Sequence, residues 1–181
     1  MSENQDGSIW AYVENNSIYI ISHNEIYFPE NSAGMFYVYT DINMLECNRV
    51  VLNNVNTSNV TNMHSMFEEL YADEYIGLEN MDVSNVTDMS YTFSYGAGGT
   101  TLDLSSWDTS KVTDMEHMFS GCYDLCTIYV GDDWSVNSVT KSDAMFQACE
   151  NLFGAERWSE DNENDKTYAD YETGYLTYKA A

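Results

Sequence analysis

Basic residues are nearly missing from this chain. Six lysines and arginines stand against 30 aspartates and glutamates in 181 residues, for a net charge of -24. Phosphate binding needs lysine and arginine, so the balance weighs against DNA or RNA as a partner and against an anionic membrane surface. It leaves two readings, an acidic coat that keeps the protein soluble or an attraction to cations and basic partners. No apolar run reaches the roughly 18 residues of a membrane span, so insertion into a membrane is not expected. The opening residues, Met1 to Asp6, are polar and acidic, which is not a signal peptide. A leader has been removed, or export takes another route, or the chain stays inside. No lipidation motif or anchoring tail follows Tyr178.

Sites for familiar chemistry are also missing. There is no Cys-x-x-Cys and no zinc spacing among the four cysteines. No glycine-rich phosphate loop, nucleophile elbow or His-Glu zinc helix occurs. His23, His64 and His117 are scattered, and His64 and His117 read as separate surface residues on different turns. Acidic pairs are abundant, but 30 carboxylates make pairing inevitable. An enzyme is disfavoured and no cofactor or metal is expected.

What the chain does have is a recurring phrase. It runs Asn56-Thr57-Ser58-Asn59-Val60-Thr61-Asn62-Met63, then Asp82 to Met89, then Asp108 to Met115, with a worn copy at Val136 to Lys141. Phe67, Phe93, Phe119 and Phe146 follow the copies at intervals of 26, 26 and 27 residues. A period in this range predicts a repeat architecture rather than a domain around one enclosed site. Val60, Met63 and Phe67 fall at i, i+3 and i+7, one face of a helix. Thr61, Thr87, Thr113 and Thr140 are placed to cap it, and Thr113 with Glu116 forms a capping-box pattern. Counting back from each phrase aligns Val50 and Leu52 with Ile76 and Leu78, Leu102 and Leu104, and Ile128 and Val130. Alternating apolar residues at one phase predict a short strand per turn.

The expected fold is therefore an α/β repeat solenoid with one short helix and one short strand per turn. Residues 32–149 form the array, whose incomplete first turn begins near Ser32 and carries Met35-Phe36. Residues 1–31 form a β-rich N-terminal cap, with strands at 9–13 and 17–21 and a third run, Ile26-Tyr27-Phe28, stopped by Pro29, the only proline. Residues 150–181 close the array, ending in a strand at Tyr175 to Tyr178. Met63, Met89 and Met115 form one internal row and the phenylalanines another, as packing rather than as a soft-metal site. Cys122 and Cys149 occupy equivalent positions and, with Cys47 and Cys126, are expected as free thiols. Asp161, Glu163, Asp165, Thr167 and Glu172 match positions 1, 3, 5, 7 and 12 of a calcium loop. Lys166 stands where that loop needs glycine, so a solvated loop is the favoured reading.

The phrase with its trailing Met-Phe, and Leu102-Asp103-Leu104-Ser105-Ser106-Trp107 after it, resembles the BspA-type leucine-rich repeats of bacterial surface proteins. Asn151 to Gly154, Lys166 to Ala169 and Gly174 to Thr177 are similar to that family's closing segment, and the likeness spans roughly residues 30–178. The resemblance implies a leucine-rich-repeat-like fold on a secreted or wall-attached protein, with adhesion as the usual role and no catalytic residues to carry over. Departures are the absent leader and anchor, the short array, and Ser142 where methionine is expected.

Function is then expected at the outward strand face. Alternation places Arg49, Tyr75, Thr101 and Thr127 in one column, and Val51, Gly77, Asp103 and Tyr129 in the next. Asn53, Glu79 and Ser105 follow. Tyr75, Glu79, Thr101, Asp103, Thr127 and Tyr129 are the candidate ligand contacts, suited to a protein or glycan; the alternative is that these are ordinary solvated residues. Two non-enzymatic roles stand side by side. One is an extracellular or cell-surface binding and adhesion module. The other is a structural or receptor-binding part of a phage particle or similar assembly. Oligomeric state and ligand are not encoded in any motif.

Overall fold

A computed structural model describes residues 9–22, 25–37, 47–162 and 166–180. The N-terminal runs form the expected strands. β1 (Ile9–Glu14) and β2 (Ser17–Ser22) make an antiparallel hairpin. Its two-residue turn, Asn15-Asn16, has φ of 50° and 56°, the left-handed pair that matches the strand twist and that asparagine tolerates. β2 then pairs in parallel with β4 (Cys47–Leu52), and β4 with β6 (Ala72–Ile76). β3 (Ile26–Tyr27) lies parallel to β5 (Val55–Asn56). A third sheet has β7 (Thr101–Leu104), β8 (Thr127–Val130) and β9 (Thr177–Tyr178), all parallel.

The α/β solenoid with one helix and one strand per turn is not what these residues form. Among the described residues there is no α-helix, only three 3₁₀ turns, and the regular structure is short strands in small sheets joined by turns. The segment expected as a helix shows why. Ser65, Tyr91, His117 and Ala144 have positive φ, as do Glu69, Tyr95, Gly121 and Ala148 four residues later. A left-handed residue every fourth position breaks any helical run. The amides divide between two directions. Met66 N–H donates back to Met63 O at 3.1 Å, a local turn. Ser65, Phe67 and Glu69 N–H instead reach Ser90, Thr92 and Ser94 O of the next copy at 2.8–2.9 Å. A helix would spend every one of these donors internally.

The expected caps are consequently ties between copies. Thr87, Thr113 and Thr140 hydroxyls donate to Thr61, Thr87 and Thr113 carbonyls at 3.2, 3.0 and 3.2 Å. The capping box does not form, because Asp114 Oδ1 accepts the Glu116 N–H at 3.1 Å in a local turn. Asn62 and Asp88 make the same turn with His64 and Ser90. Short parallel bridges run Asn31–Asn62–Asp88–Asp114–Lys141, and from Asn62 to Asp114 they keep the 26-residue period as register between copies.

The core follows the two predicted rows. Met63, Met89 and Met115 are fully buried, as are Phe67, Phe93, Phe119 and Phe146. The rings stack face to face with centroids 5.4, 6.1 and 5.6 Å apart, and Phe36 continues the row onto Phe67 at 5.4 Å. Trp107 is buried against them and donates its indole N–H to Leu78 O at 3.1 Å.

One strand departs from the predicted phase. Val50 pairs with Tyr75, not with Ile76, so the offset between β4 and β6 is one residue short of the repeat. Tyr75 therefore points inward, while Ile76 is exposed. Gly77 absorbs the slip. It has φ 100°, and a Cβ there would lie 2.0 Å from Leu52 O, a position only glycine fits. Leu78 then returns to the core at the start of a 3₁₀ turn, Leu78–Asn80.

All four cysteines are free thiols. Cys122 and Cys149 are equivalent, donating to Phe93 O and Phe119 O at 3.1 and 3.0 Å. Burial pushes the Cys122 thiol up to about 12, so it holds its proton and is a poor nucleophile. Alkylation under denaturing, non-reducing conditions should label four sites, and brief native labelling should reach only the half-buried Cys126. Two labels in the denatured protein would reveal a disulfide.

Candidate functional site

The residues expected to bind a ligand divide between a coherent face and two exceptions. Leu102, Leu104, Ile128 and Val130 are buried, so alternation turns Thr101, Asp103, Thr127 and Tyr129 to the other side of the sheet. Register sets Thr101 beside Thr127 and Asp103 beside Tyr129. This is the pairing that the 26-residue spacing demands of parallel strands.

Tyr75 is the first exception. Its ring meets Phe67 and Phe93 edge-on, at 5.2 and 5.5 Å, and its hydroxyl donates to Gly96 O at 2.9 Å. Burial holds its phenol well above the ordinary tyrosine range, as expected of a core residue. Glu79 is the second. It lies in the 3₁₀ turn past β6, where its carboxylate accepts the Gly77 N–H at 3.0 Å. Gly77 itself is buried. On the earlier sheet the outward position belongs to an ion pair, Arg49 with Glu74 at 2.8 Å, both about half exposed.

The closing strand supplies what the sequence reading missed. Thr177 pairs with Tyr129, extending the outward row by one strand. Lys179 follows. Its ammonium pairs with the Asp103 carboxylate and sits 5.5 Å from the centre of the Tyr129 ring. Asp103 Oδ1 also accepts from the Ser105 amide and hydroxyl, at 3.1 and 2.7 Å. Partial burial pushes the Asp103 carboxyl up. The hydrogen bonds from Lys179 and Ser105, with the Lys179 charge, outweigh it, so the group lies below its usual value. The Asp103 hydrogen bond and charge hold Lys179 above its usual value. Both shifts favour the charged forms, so the pair stays ionised across neutral pH. Carrying the alternation one strand further, past Tyr175 to Tyr178, would have reached Thr177; nothing in the local sequence aims Lys179 at Asp103, which lies 76 residues away.

A second polar cluster ties two copies together. His64 Nδ1 and Ser90 Oγ are 2.7 Å apart, and Ser90 Oγ donates to Asp88 Oδ1 at 2.6 Å. The serine proton is committed to the carboxylate, so this set links two copies and presents no nucleophile to a base. His64 and His117 sit on separate turns, bridged by a ring rather than paired with each other. Tyr91 lies between them, edge-on to His64 at 5.5 Å and stacked on His117 at 4.6 Å. An open hollow of ≈ 580 Å³ near the first copy is lined by Phe28, Pro29, Glu30, Ser58, Asn59, Thr61 and Asn85. Of the calcium-loop pattern, Glu163 and Asp165 lie outside the described residues. Lys166 donates to the carbonyls of Val136 and Val139. No group of three or more metal-ligating side chains occurs among the described residues. No helix there is long and apolar enough to cross a membrane.

A family model described as Mycoplasma protein of unknown function, DUF285, matches residues 31–158. No curated protein and no solved structure matches the chain.

Proposed function

Because the chain belongs to the DUF285 family, whose description assigns no function, we propose its role from its own geometry: a non-enzymatic binding module that presents the outward face of β7, β8 and β9 to a protein or glycan. The observation that carries this reading is the Thr101–Thr127 and Asp103–Tyr129–Thr177 register, which lines up hydroxyls, a carboxylate and an aromatic ring across three parallel strands. The backbone beneath the row is held by the buried Leu102, Leu104, Ile128, Val130 and Leu176, and a tyrosine amid polar groups provides area at low entropic cost. The likeness of residues 30–178 to BspA-type repeats supports an adhesive role on a secreted or cell-surface protein.

Glycan and protein arrays probed with the chain provide the test. Ligands recovered should bind Tyr129→Ser at least about tenfold more weakly, as loss of a central aromatic contact usually does, while the variant keeps its thermal midpoint. Recovered ligands that bind the variant with unchanged affinity would rule this face out.

A further inference from the structure

We propose that the binding face takes a cationic group, a lysine or arginine side chain on a basic segment of a partner protein, and that Lys179 occupies that position in the free molecule. The inference rests on the binding-face reading above and specifies its ligand.

Lys179 acts as a ligand that the chain carries itself. A primary ammonium is held by two groups, the Asp103 carboxylate and the face of the Tyr129 ring. Carboxylate plus aromatic face is what any alkylammonium or guanidinium seeks, because one supplies charge and hydrogen bonds and the other a negative quadrupole. Thr177 flanks Tyr129 on the third strand, where a hydroxyl can accept a further N–H.

The Lys179 side chain can leave without disturbing the fold. β9 is held by its own backbone, through the β8 pairing and the Lys179 N–H to Val130 O at 2.9 Å. Tyr178 is tied separately, its hydroxyl donating to Asp132 at 3.0 Å. The lysine side chain is 49% exposed, and an exposed ion pair is weak and readily exchanged. An incoming cation would replace like with like, leaving neither Asp103 nor Tyr129 without a partner. The net charge of -24 adds long-range attraction for a basic segment and repels an acidic one.

The test titrates the chain with a short labelled oligolysine peptide at low salt. Lys179→Ala should tighten binding about threefold or more, because it removes an intramolecular competitor. Lys111→Ala makes the same charge change away from the face and should have little effect. Asp103→Asn and Tyr129→Ser should each weaken binding about tenfold. Tyr129→Phe, which keeps the ring, should retain it, as should Asp82→Asn, the matched charge change elsewhere. Asp103→Asn preserves an oxygen for Ser105, so its loss of binding tests the carboxylate independently of the ring.

Equal binding by every variant would mean attraction by net charge alone and would overturn the proposal. So would weaker binding by Lys179→Ala. Array ligands lost on Tyr129→Ser, but indifferent to Lys179→Ala and to competing oligolysine, would keep the face and overturn its cationic preference. Array ligands indifferent to Tyr129→Ser would instead remove the face itself.

Discussion

Replacing Phe93 by alanine is expected to cost about 3–5 kcal/mol, as full truncation of a buried aromatic does. For a chain of this length that corresponds to a fall of roughly 6–20 °C in the thermal midpoint. Phe93 is fully buried at the centre of the phenylalanine row. It stacks on Phe67 and Phe119, takes Tyr75 edge-on, and lies 5.9 Å from Trp107. Removing it leaves a cavity walled by three copies of the repeat, and four surrounding rings cannot collapse into it without breaking their own contacts. The backbone ties around it, Phe67 N–H to Thr92 O and Phe93 N–H to Met118 O, both 2.9 Å, join the same copies. The loss should therefore be felt on both sides. Thermal unfolding followed by circular dichroism measures it; a shift of only a degree or two would show that the row is not the core.

Tyr75→Ser is expected to destabilise the protein by about 3 kcal/mol or more, whereas Tyr129→Ser should stay within about 0.5 kcal/mol. The two tyrosines were expected on one outward face, so their contrast tests the observed register directly. Tyr75 fills the space between Phe67 and Phe93, and its hydroxyl donates to Gly96 O. Serine would leave the ring cavity empty and could not reach that carbonyl. Tyr75→Phe should cost only about 1 kcal/mol, the net worth of one hydrogen bond. It is that mild because Gly96 O still accepts the Ala72 N–H at 2.7 Å. Denaturant titration of the three variants gives the comparison. Equal costs for Tyr75→Ser and Tyr129→Ser would mean that the one-residue slip at Gly77 is wrong.

Much was legible in the residues themselves. The interval between Phe67, Phe93, Phe119 and Phe146 predicted the buried aromatic row, and the methionines at Met63, Met89 and Met115 predicted its companion. The alternation at Leu102–Leu104 and Ile128–Val130 predicted the inward side of β7 and β8, and with it the outward side that carries Asp103 and Tyr129. Hydrophobic spacing is a local property, and burial follows it directly.

Tertiary structure decided the rest. Val60, Met63 and Phe67 share one face whether the backbone is a helix or a series of turns, so their spacing cannot distinguish the two. The choice depends on where the amides go, and Ser65, Phe67 and Glu69 send theirs to carbonyls 25 residues onward. Left-handed residues four apart, at Ser65 and Glu69, make that direction possible. Tyr75 was misplaced because counting back from the phrase assumes equal spacing in every copy, and Gly77 takes up one residue in a single tight bend. Lys179 reaches the face only because β9 closes onto β8. Periodicity along a chain specifies which side is buried; hydrogen-bond partners and charge pairs between distant segments exist only once the copies lie side by side.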